Sequence, residues 1–269
     1  MVGAEMARPR SDWLLPGAGQ PRPAGGPAPR ARLVCFHYAG SGASMFAPWA
    51  AALPDEVELL AVQLPGRETR LDEPLRHAME EVAPPLAEAL APWLDLPYAM
   101  FGHSTGALIA FDVARRLRRR ALPLPRVLIA SAQNAPDVKP PVIRHVLDDA
   151  AFVEVLRGCR GTPEAILDDP VLLDLLLPRI RADGAVFETY RYLEEAPLDC
   201  PIVLFHGTRD AMVDEAGLAR WARETRGGFR RREFGGGHFF VHEQQAAVLD
   251  EINRELAVLL DEPSPLPIG

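Results

Sequence analysis

The feature that most constrains this chain is a series of five short apolar runs that are continuous rather than alternating. The runs are RLVCFH (32–37), VELLAVQL (57–64), YAMFGH (98–103), RVLIASA (126–132) and PIVLFHG (201–207). Strands that are buried on both faces have this composition, which is typical of parallel sheets covered by helices. Helical patterns such as ALIAFDVARRLRRR (107–120) lie between the runs. The sequence therefore predicts an α/β fold with a mostly parallel central sheet flanked by helices.

Two stretches interrupt this alternation and suggest a domain organisation. Residues 1–30 are rich in Pro, Gly, Ala and Arg, which bury too little apolar surface to offset the entropy of ordering, so we predict a disordered leader. Residues 137–197 carry helical patterns and no strong strand, and we predict a helical lid inserted between two core strands. The core then comprises residues 31–136 and 198–260.

Composition argues against several classes of function. The chain has 29 basic and 37 acidic residues, a net charge of −8, which is the wrong sign for neutralising nucleic-acid phosphates or anionic lipid. Its three cysteines are too few and too scattered for a disulfide framework or a zinc cage. No run approaches 18 apolar residues, and no secretory signal is visible. We expect a cytoplasmic protein without a metal, a membrane span or a nucleic-acid partner.

The sharpest motif is GHSTG, in which Gly102 and Gly106 flank Ser104 between a predicted strand and a predicted helix. A nucleophile elbow has this form, because small residues on either side let strand and helix approach closely and expose the serine hydroxyl. The alternative is a glycine-bounded turn with an incidental serine.

A serine nucleophile requires a histidine base and a carboxylate, in the chain order Ser, Asp, His. Asp210 follows the run PIVLFHG, and His238 lies in FGGGHFF, after a predicted last strand at 229–234. Asp214 is a nearby alternative carboxylate, although an acidic residue at a helix start can simply be a cap. The other histidines, including His37 and His103, receive no catalytic role.

The same chemistry needs backbone N–H donors for an oxyanion. Thr105, directly after the serine, is one candidate, and Ala39 in the loop HYAGSGAS (37–44) is the other. The glycines of this loop lack the third glycine of a dinucleotide-binding fingerprint, so we prefer an oxyanion loop. The basic run RRLRRR (115–120) is interpreted as a solvated helix end, with a docking patch for an acidic partner as the alternative.

Several longer segments resemble the stand-alone type II thioesterases that accompany polyketide synthases and nonribosomal peptide synthetases. They are LVCFHYAGSGASMFAPWAAALP, VQLPGRETRLDEP, FGHSTGALIAFDVARRL, RGTPEAILDDPVLLDLLLPRIRADGAVFETY, PIVLFHGTRDAMV and FGGGHFF. The resemblance implies an α/β-hydrolase fold with a helical lid. It also implies a catalytic triad and two oxyanion donors at the positions already identified, namely Ser104, Asp210, His238, Ala39 and Thr105.

The implied activity is hydrolysis of stalled or aberrant acyl thioesters from the phosphopantetheine arm of an acyl or peptidyl carrier protein, in antibiotic-type biosynthesis and without a cofactor. Two alternatives remain open at this point. One is a product-releasing thioesterase or small-ester esterase with the same triad. The other is a non-catalytic carrier-binding protein. Nothing in the sequence requires more than a monomer.

Overall fold

A computed structural model of the chain describes residues 11–19, 26–140, 142–159 and 161–261. Within these ranges one sheet has the strand order β1-β3-β2-β4-β5-β6-β7, with β1 antiparallel to β3 and the other neighbours parallel. The strands are β1 (Leu14–Pro16), β2 (Ala31–Phe36), β3 (Val57–Val62), β4 (Tyr98–His103), β5 (Val127–Ser131), β6 (Ile202–Gly207) and β7 (Phe229–Phe234).

Helices cover both faces of the sheet. They are α1 (Ala47–Ala50), α2 (Met79–Leu90), α3 (Thr105–Arg119), α4 (Asp149–Cys159), α5 (Glu164–Leu167), α6 (Pro170–Glu188), α7 (Glu215–Ala219), α8 (Phe240–Glu243) and α9 (Gln245–Asp261). Short 3₁₀ turns lie at Gly17–Gly19, Ala43–Phe46, Glu68–Arg70, Ala91–Trp93 and Arg220–Arg223. This arrangement confirms the predicted α/β-hydrolase fold.

The buried strands explain why the apolar runs do not alternate. In β2, Val34 and Phe36 pack into the cluster beneath α2 and α3, whereas Leu33 and Cys35 pack into the cluster beneath α9. Complete burial of such an aliphatic or aromatic side chain contributes about 1.5–3 kcal/mol. Both faces therefore fix the register of the central strands, and with it the position of their carboxyl ends.

The predicted disordered leader, residues 1–30, is wrong for part of its length. β1 lies inside it and pairs with β3, and Leu14 is only 2% exposed. The carbonyl of Trp13 accepts a hydrogen bond from the backbone N–H that follows β3. A short edge strand needs only one buried side chain and a few backbone hydrogen bonds to its neighbour. The average composition of a 30-residue segment does not reveal so short an element. Residues 1–10 and 20–25 of the predicted leader lie outside the described residues.

Helices α4, α5 and α6 lie between β5 and β6, inside the stretch predicted to form a lid. The side chain of Asp169 caps the start of α6 by accepting hydrogen bonds from the first backbone N–H groups, and Pro170 suits the first helical position. The first half of α6 exposes Val171 and Leu175, whereas its second half buries Asp183 and Val186. The C-terminal half of α6 is therefore the part that packs against the rest of the protein. We call residues 137–197 the lid.

The basic run at the end of α3 is engaged with the segment that returns from the lid. Glu195 forms ion pairs with Arg115, Arg118 and Arg119. Burial raises the pKa of Glu195, but hydrogen bonds from Arg119 and Arg118 and the nearby charges outweigh it and bring the pKa to about 2. Arg118 also donates to the carbonyl of Ala196. The predicted solvated helix end is therefore wrong for Arg115 and Arg118, whereas Arg119 is exposed and still pairs with Glu195. The three arginines hold the segment where the chain leaves the lid.

Candidate active site

Ser104 occupies a strained turn between β4 and α3. Its φ of 53° and ψ of −124° are unusual for a residue with a side chain. A Cβ added at Gly102 would lie 2.3 Å from the carbonyl oxygen of Gly106, and one added at Gly106 would lie 2.3 Å from that of Phe36. Both glycines are required by backbone packing, as the elbow interpretation predicts, and the turn presents the serine at the carboxyl edge of the sheet.

The structure brings the three predicted catalytic side chains together. Nε2 of His238 lies 2.9 Å from Oγ of Ser104, and Nδ1 of His238 lies 2.8 Å from Oδ2 of Asp210. The side chains of His238 and Asp210 are 6% and 0% exposed. An ionised carboxylate only accepts hydrogen bonds, so Nδ1 carries the proton of a neutral imidazole and Nε2 is free to accept the serine proton.

The two candidate carboxylates have different roles. The second oxygen of Asp210 accepts a hydrogen bond from the backbone N–H of Met212 at 2.9 Å, which fixes the carboxylate toward His238. Asp214 instead accepts from the N–H of Gly217 at 2.8 Å and caps α7. Asp210 is therefore the carboxylate that contacts the imidazole, and Asp214 is the helix cap.

His103, which received no role from the sequence, supports the backbone of His238. Its Nε2 lies 2.9 Å from the carbonyl oxygen of His238, and its Nδ1 lies 2.9 Å from Oγ of Ser131. Burial lowers the pKa of His103, and its electrostatic interaction with the neighbouring His238 acts in the same direction. His103 is therefore neutral and donates its Nε2–H to the His238 carbonyl. In the sequence, only its position beside Ser104 could have indicated a role for His103. The residue that it contacts lies 135 positions away, so the sequence did not predict the contact.

The loop at 37–44 is held so that the Ala39 N–H has a fixed direction. The carbonyl of Tyr38, in the same peptide group, accepts from Nδ1 of His37 at 2.9 Å and from the N–H of Ser41 at 3.2 Å. Burial and then the charge of Arg67 lower the pKa of His37 to about 4, so this histidine is neutral. The sequence assigned no role to His37.

Thr105, the other predicted donor, is the first residue of α3. The N–H groups of the first helical turn have no carbonyl partner within their helix, and the positive end of the helix dipole lies there. Thr105 and Ala39 line the same cavity as Ser104 and His238. The structure thus places both residues beside the serine, and their role as oxyanion donors stays a prediction.

The cavity above Ser104 has a volume of about 200 Å³ and is roofed by the lid. Phe152, Leu156, Ile180 and Phe187 contribute apolar walls from the lid helices. In the part of the chain that the structure covers, no three His, Cys, Asp or Glu side chains converge in a way that could hold a metal ion. Over those same residues, no helix is long and apolar enough to cross a bilayer.

Comparisons with known proteins agree with this site. A family model described as a thioesterase domain matches residues 31–256. Thioesterase PikA5 of Streptomyces venezuelae is 39% identical over 240 residues, which cover 88% of this chain and 85% of that protein. Among solved structures, RedJ, the thioesterase from the prodiginine biosynthetic pathway in Streptomyces coelicolor, is 39% identical with a TM-score of 0.81, covering 87% of this chain and 97% of RedJ.

A second solved structure is BorB, the type II thioesterase from the borrelidin biosynthetic cluster. It is 35% identical with a TM-score of 0.79, covering 93% of this chain and 98% of BorB. The resemblance to type II thioesterases noted from the sequence is thereby confirmed. The chain belongs to the thioesterase family: it is an α/β hydrolase and a serine-dependent enzyme that acts on thioesters.

Proposed function

We propose that this enzyme hydrolyses stalled or aberrant acyl thioesters from the phosphopantetheine arm of an acyl or peptidyl carrier protein, in polyketide or nonribosomal peptide biosynthesis. The observation that carries the proposal is the hydrogen-bonded series Ser104, His238 and Asp210 at the floor of a cavity covered by the lid. The names of PikA5, RedJ and BorB, which refer to thioesterases or to biosynthetic pathways, support the substrate class.

In the first step, Oγ of Ser104 attacks the thioester carbonyl carbon while Nε2 of His238 takes the serine proton. The carbonyl π electrons move to oxygen, and the N–H groups of Ala39 and Thr105 bind the resulting oxyanion. Asp210 keeps the Nδ1 proton in place and stabilises the imidazolium that forms. The product of this step is a tetrahedral intermediate bonded to Ser104.

The intermediate then collapses, the carbon–sulfur bond breaks, and the pantetheine sulfur leaves with the proton from His238. A thiol with a pKa near 8.5 needs little acid assistance to leave. Water attacks the acyl-enzyme as His238 takes one of its protons, and a second collapse returns that proton to Oγ of Ser104 and releases the free acid. These residues and water balance every proton and electron pair, so we propose that no cofactor takes part.

The cavity under the lid supports the proposed class of substrate. An acyl group must reach Ser104 at the end of a long pantetheine arm, and the cavity has apolar lid side chains on one side and the catalytic residues on the other. A carrier protein is therefore the proposed partner, bound by an enzyme that acts as a monomer. A product-releasing thioesterase and a small-ester esterase use the same triad and are distinguished by their products and substrates.

The test is hydrolysis of acyl groups loaded on a purified carrier protein. Wild type should show a higher kcat/KM for the carrier-bound acyl group than for the same acyl group as a free ethyl ester, and should release linear acid. Ser104→Ala should lose about 10⁵-fold or more in kcat, while Ser11→Ala, a serine outside both the cavity and the 37–44 loop, keeps full activity. Equal rates for Ser104→Ala and wild type, or preference for the free ester, would contradict the proposal.

A further inference from the structure

A buried ion pair joins the lid to the core. The guanidinium of Arg67, in the loop after β3, forms two hydrogen bonds with the carboxylate of Asp183 on α6, at 2.6 and 2.8 Å. The two side chains are 1% and 2% exposed. The free energy of removing two charges from water offsets much of the attraction between them. Burial of such a pair is therefore weak evidence that its role is to stabilise the fold. The motifs LPGRE and PRIRAD, which contain these residues, have no part in the mechanism described above.

The same ion pair forms hydrogen bonds with the backbone of the loop at 37–44. Oδ2 of Asp183 accepts a hydrogen bond from the backbone N–H of Gly40 at 2.7 Å, and Nη1 of Arg67 donates to the carbonyl of Ser41 at 2.9 Å. Ile180, one turn before Asp183 on α6, packs so closely that a Cβ at Gly40 would lie 2.4 Å from its side chain. Helix α6 therefore contacts the loop through both charge and packing.

These contacts flank the proposed oxyanion donor. Gly40 contributes the N–H of the peptide group that follows Ala39, and the carbonyl of the preceding peptide group is held within the loop by His37 and Ser41. The direction of the Ala39 N–H thus depends on contacts within the loop on one side and on a lid contact on the other. A backbone N–H stabilises an oxyanion only when it points at the oxygen.

We infer that Asp183, held in place by Arg67, is a positioning residue for the Ala39 N–H, so that the oxyanion loop is complete only when α6 is seated on it. This inference rests on the proposed function of Ala39. The lid then contributes to the chemical step as well as covering the cavity. Displacing α6 removes the acceptor for the Gly40 N–H and leaves the loop free to turn the neighbouring Ala39 N–H away.

The test compares Asp183→Ala and Asp183→Asn with a control on the same helix. Arg181→Ala is the control, because Arg181 donates to the carbonyls of His145 and Leu147 and pairs with Asp149, all within the lid. Two readouts are measured at a temperature where each variant is folded by circular dichroism. The first is kcat and KM for an acyl-pantetheine thioester, and the second is the affinity for an alkyl boronic acid that forms a tetrahedral adduct with Ser104.

For Asp183→Ala we expect kcat and boronic-acid affinity to fall together by at least about tenfold, since a displacement of about 1 Å can cost 10²-fold, while KM changes less than about threefold. Asp183→Asn keeps an acceptor for Gly40 and should lose less of both. Unchanged kcat in a folded Asp183→Ala, or an equal loss of both readouts in Arg181→Ala, overturns the inference. If Asp183→Ala does not fold, Asp183→Asn decides: a loss of both readouts larger than that of Arg181→Ala supports the inference, and no such loss overturns it.

Failure of the proposed function would look different. If the wild type cleaved free esters but not carrier-bound thioesters, the carrier assignment would be wrong, while boronic-acid affinity would still report on the oxyanion loop. The kinetic measurement on Asp183 variants would then use the ester. Conversely, a wild type that cleaves carrier-bound substrates, with Asp183 variants that retain kcat and boronic-acid affinity, would overturn only the positioning role.

Discussion

The core and the lid are built by different forces. In the core, strands buried on both faces carry Ser104 and Asp210 at their carboxyl ends, so apolar packing sets the geometry of the site. The lid contains seven of the ten exposed large hydrophobic residues found in the described part of the chain, and its attachments include the ion pairs of Asp183 and Glu195. The difference indicates that apolar packing positions the catalytic side chains in the core, whereas ion pairs take part in attaching the lid.

One way to test the role of the core, with the largest expected effect, is to replace the core carboxylate. Asp210→Asn should lower kcat about 10³- to 10⁴-fold, because an amide favours the wrong tautomer of His238. Steady-state hydrolysis of an acyl thioester measures the loss. Asp214→Asn is the matched control: asparagine caps a helix as well as aspartate does, so activity and stability should remain within about twofold and about 0.5 kcal/mol. Equal losses in the two variants would contradict the assignment of Asp210.

A second way is to add one methyl group in the core. Gly106→Ala should lower the free energy of unfolding by at least about 2 kcal/mol and reduce activity, since its Cβ would lie 2.3 Å from the backbone oxygen of Phe36 and that oxygen belongs to a central strand. Urea unfolding followed by circular dichroism gives the value. A fully stable and active Gly106→Ala enzyme would show that the elbow is less tightly packed than the structure indicates.

The lid exit offers a pH-dependent test. The pKa of Glu195 is about 2 in the folded state, below the ordinary value of a glutamate carboxyl, so its ion pairs stabilise the fold above about pH 4.5 and lose this effect as pH falls toward 2. Glu195→Gln should therefore be less stable than wild type by on the order of 1–2 kcal/mol at pH 7. The difference should shrink between pH 4.5 and 3; a difference that is constant with pH would contradict the pairing.

The smallest expected effect is at a lid glycine. An added Cβ at Gly158 in α4 would meet no atom within 4 Å, so Gly158→Ala should raise stability by about 0.5–1 kcal/mol through helix propensity. Thermal unfolding measures the gain. A loss of stability in Gly106→Ala together with a gain in Gly158→Ala would support a close-packed core and a more open lid. A destabilising Gly158→Ala would contradict this difference.

The sequence predicted the parts of the molecule that depend on local pattern. Continuous apolar runs predicted the sheet, and each chemical motif followed a predicted strand, so Ser104, Asp210 and His238 were expected at one edge. The boundaries of the lid at 137–197 stay a prediction, as do the catalytic roles themselves.

What the sequence did not predict are contacts between distant residues. Arg67 and Asp183 are 116 positions apart, and nothing in either motif indicates that their charges meet in a buried site. His103, at the end of β4, supports His238 only because the fold brings the loop after β7 to the same edge of the sheet. The edge strand β1 was missed since a single buried Leu14 does not change the average composition of a Pro- and Gly-rich segment.

The most direct test of Ser104 as the nucleophile is intact-protein mass spectrometry of the enzyme, quenched in acid within milliseconds of mixing with an acyl-loaded carrier protein. We predict a mass increase equal to one acyl group, located on the peptide that contains Ser104 and missing in Ser104→Ala. Release of free acid by wild type without any acylated Ser104, or acylation at another residue, would contradict it.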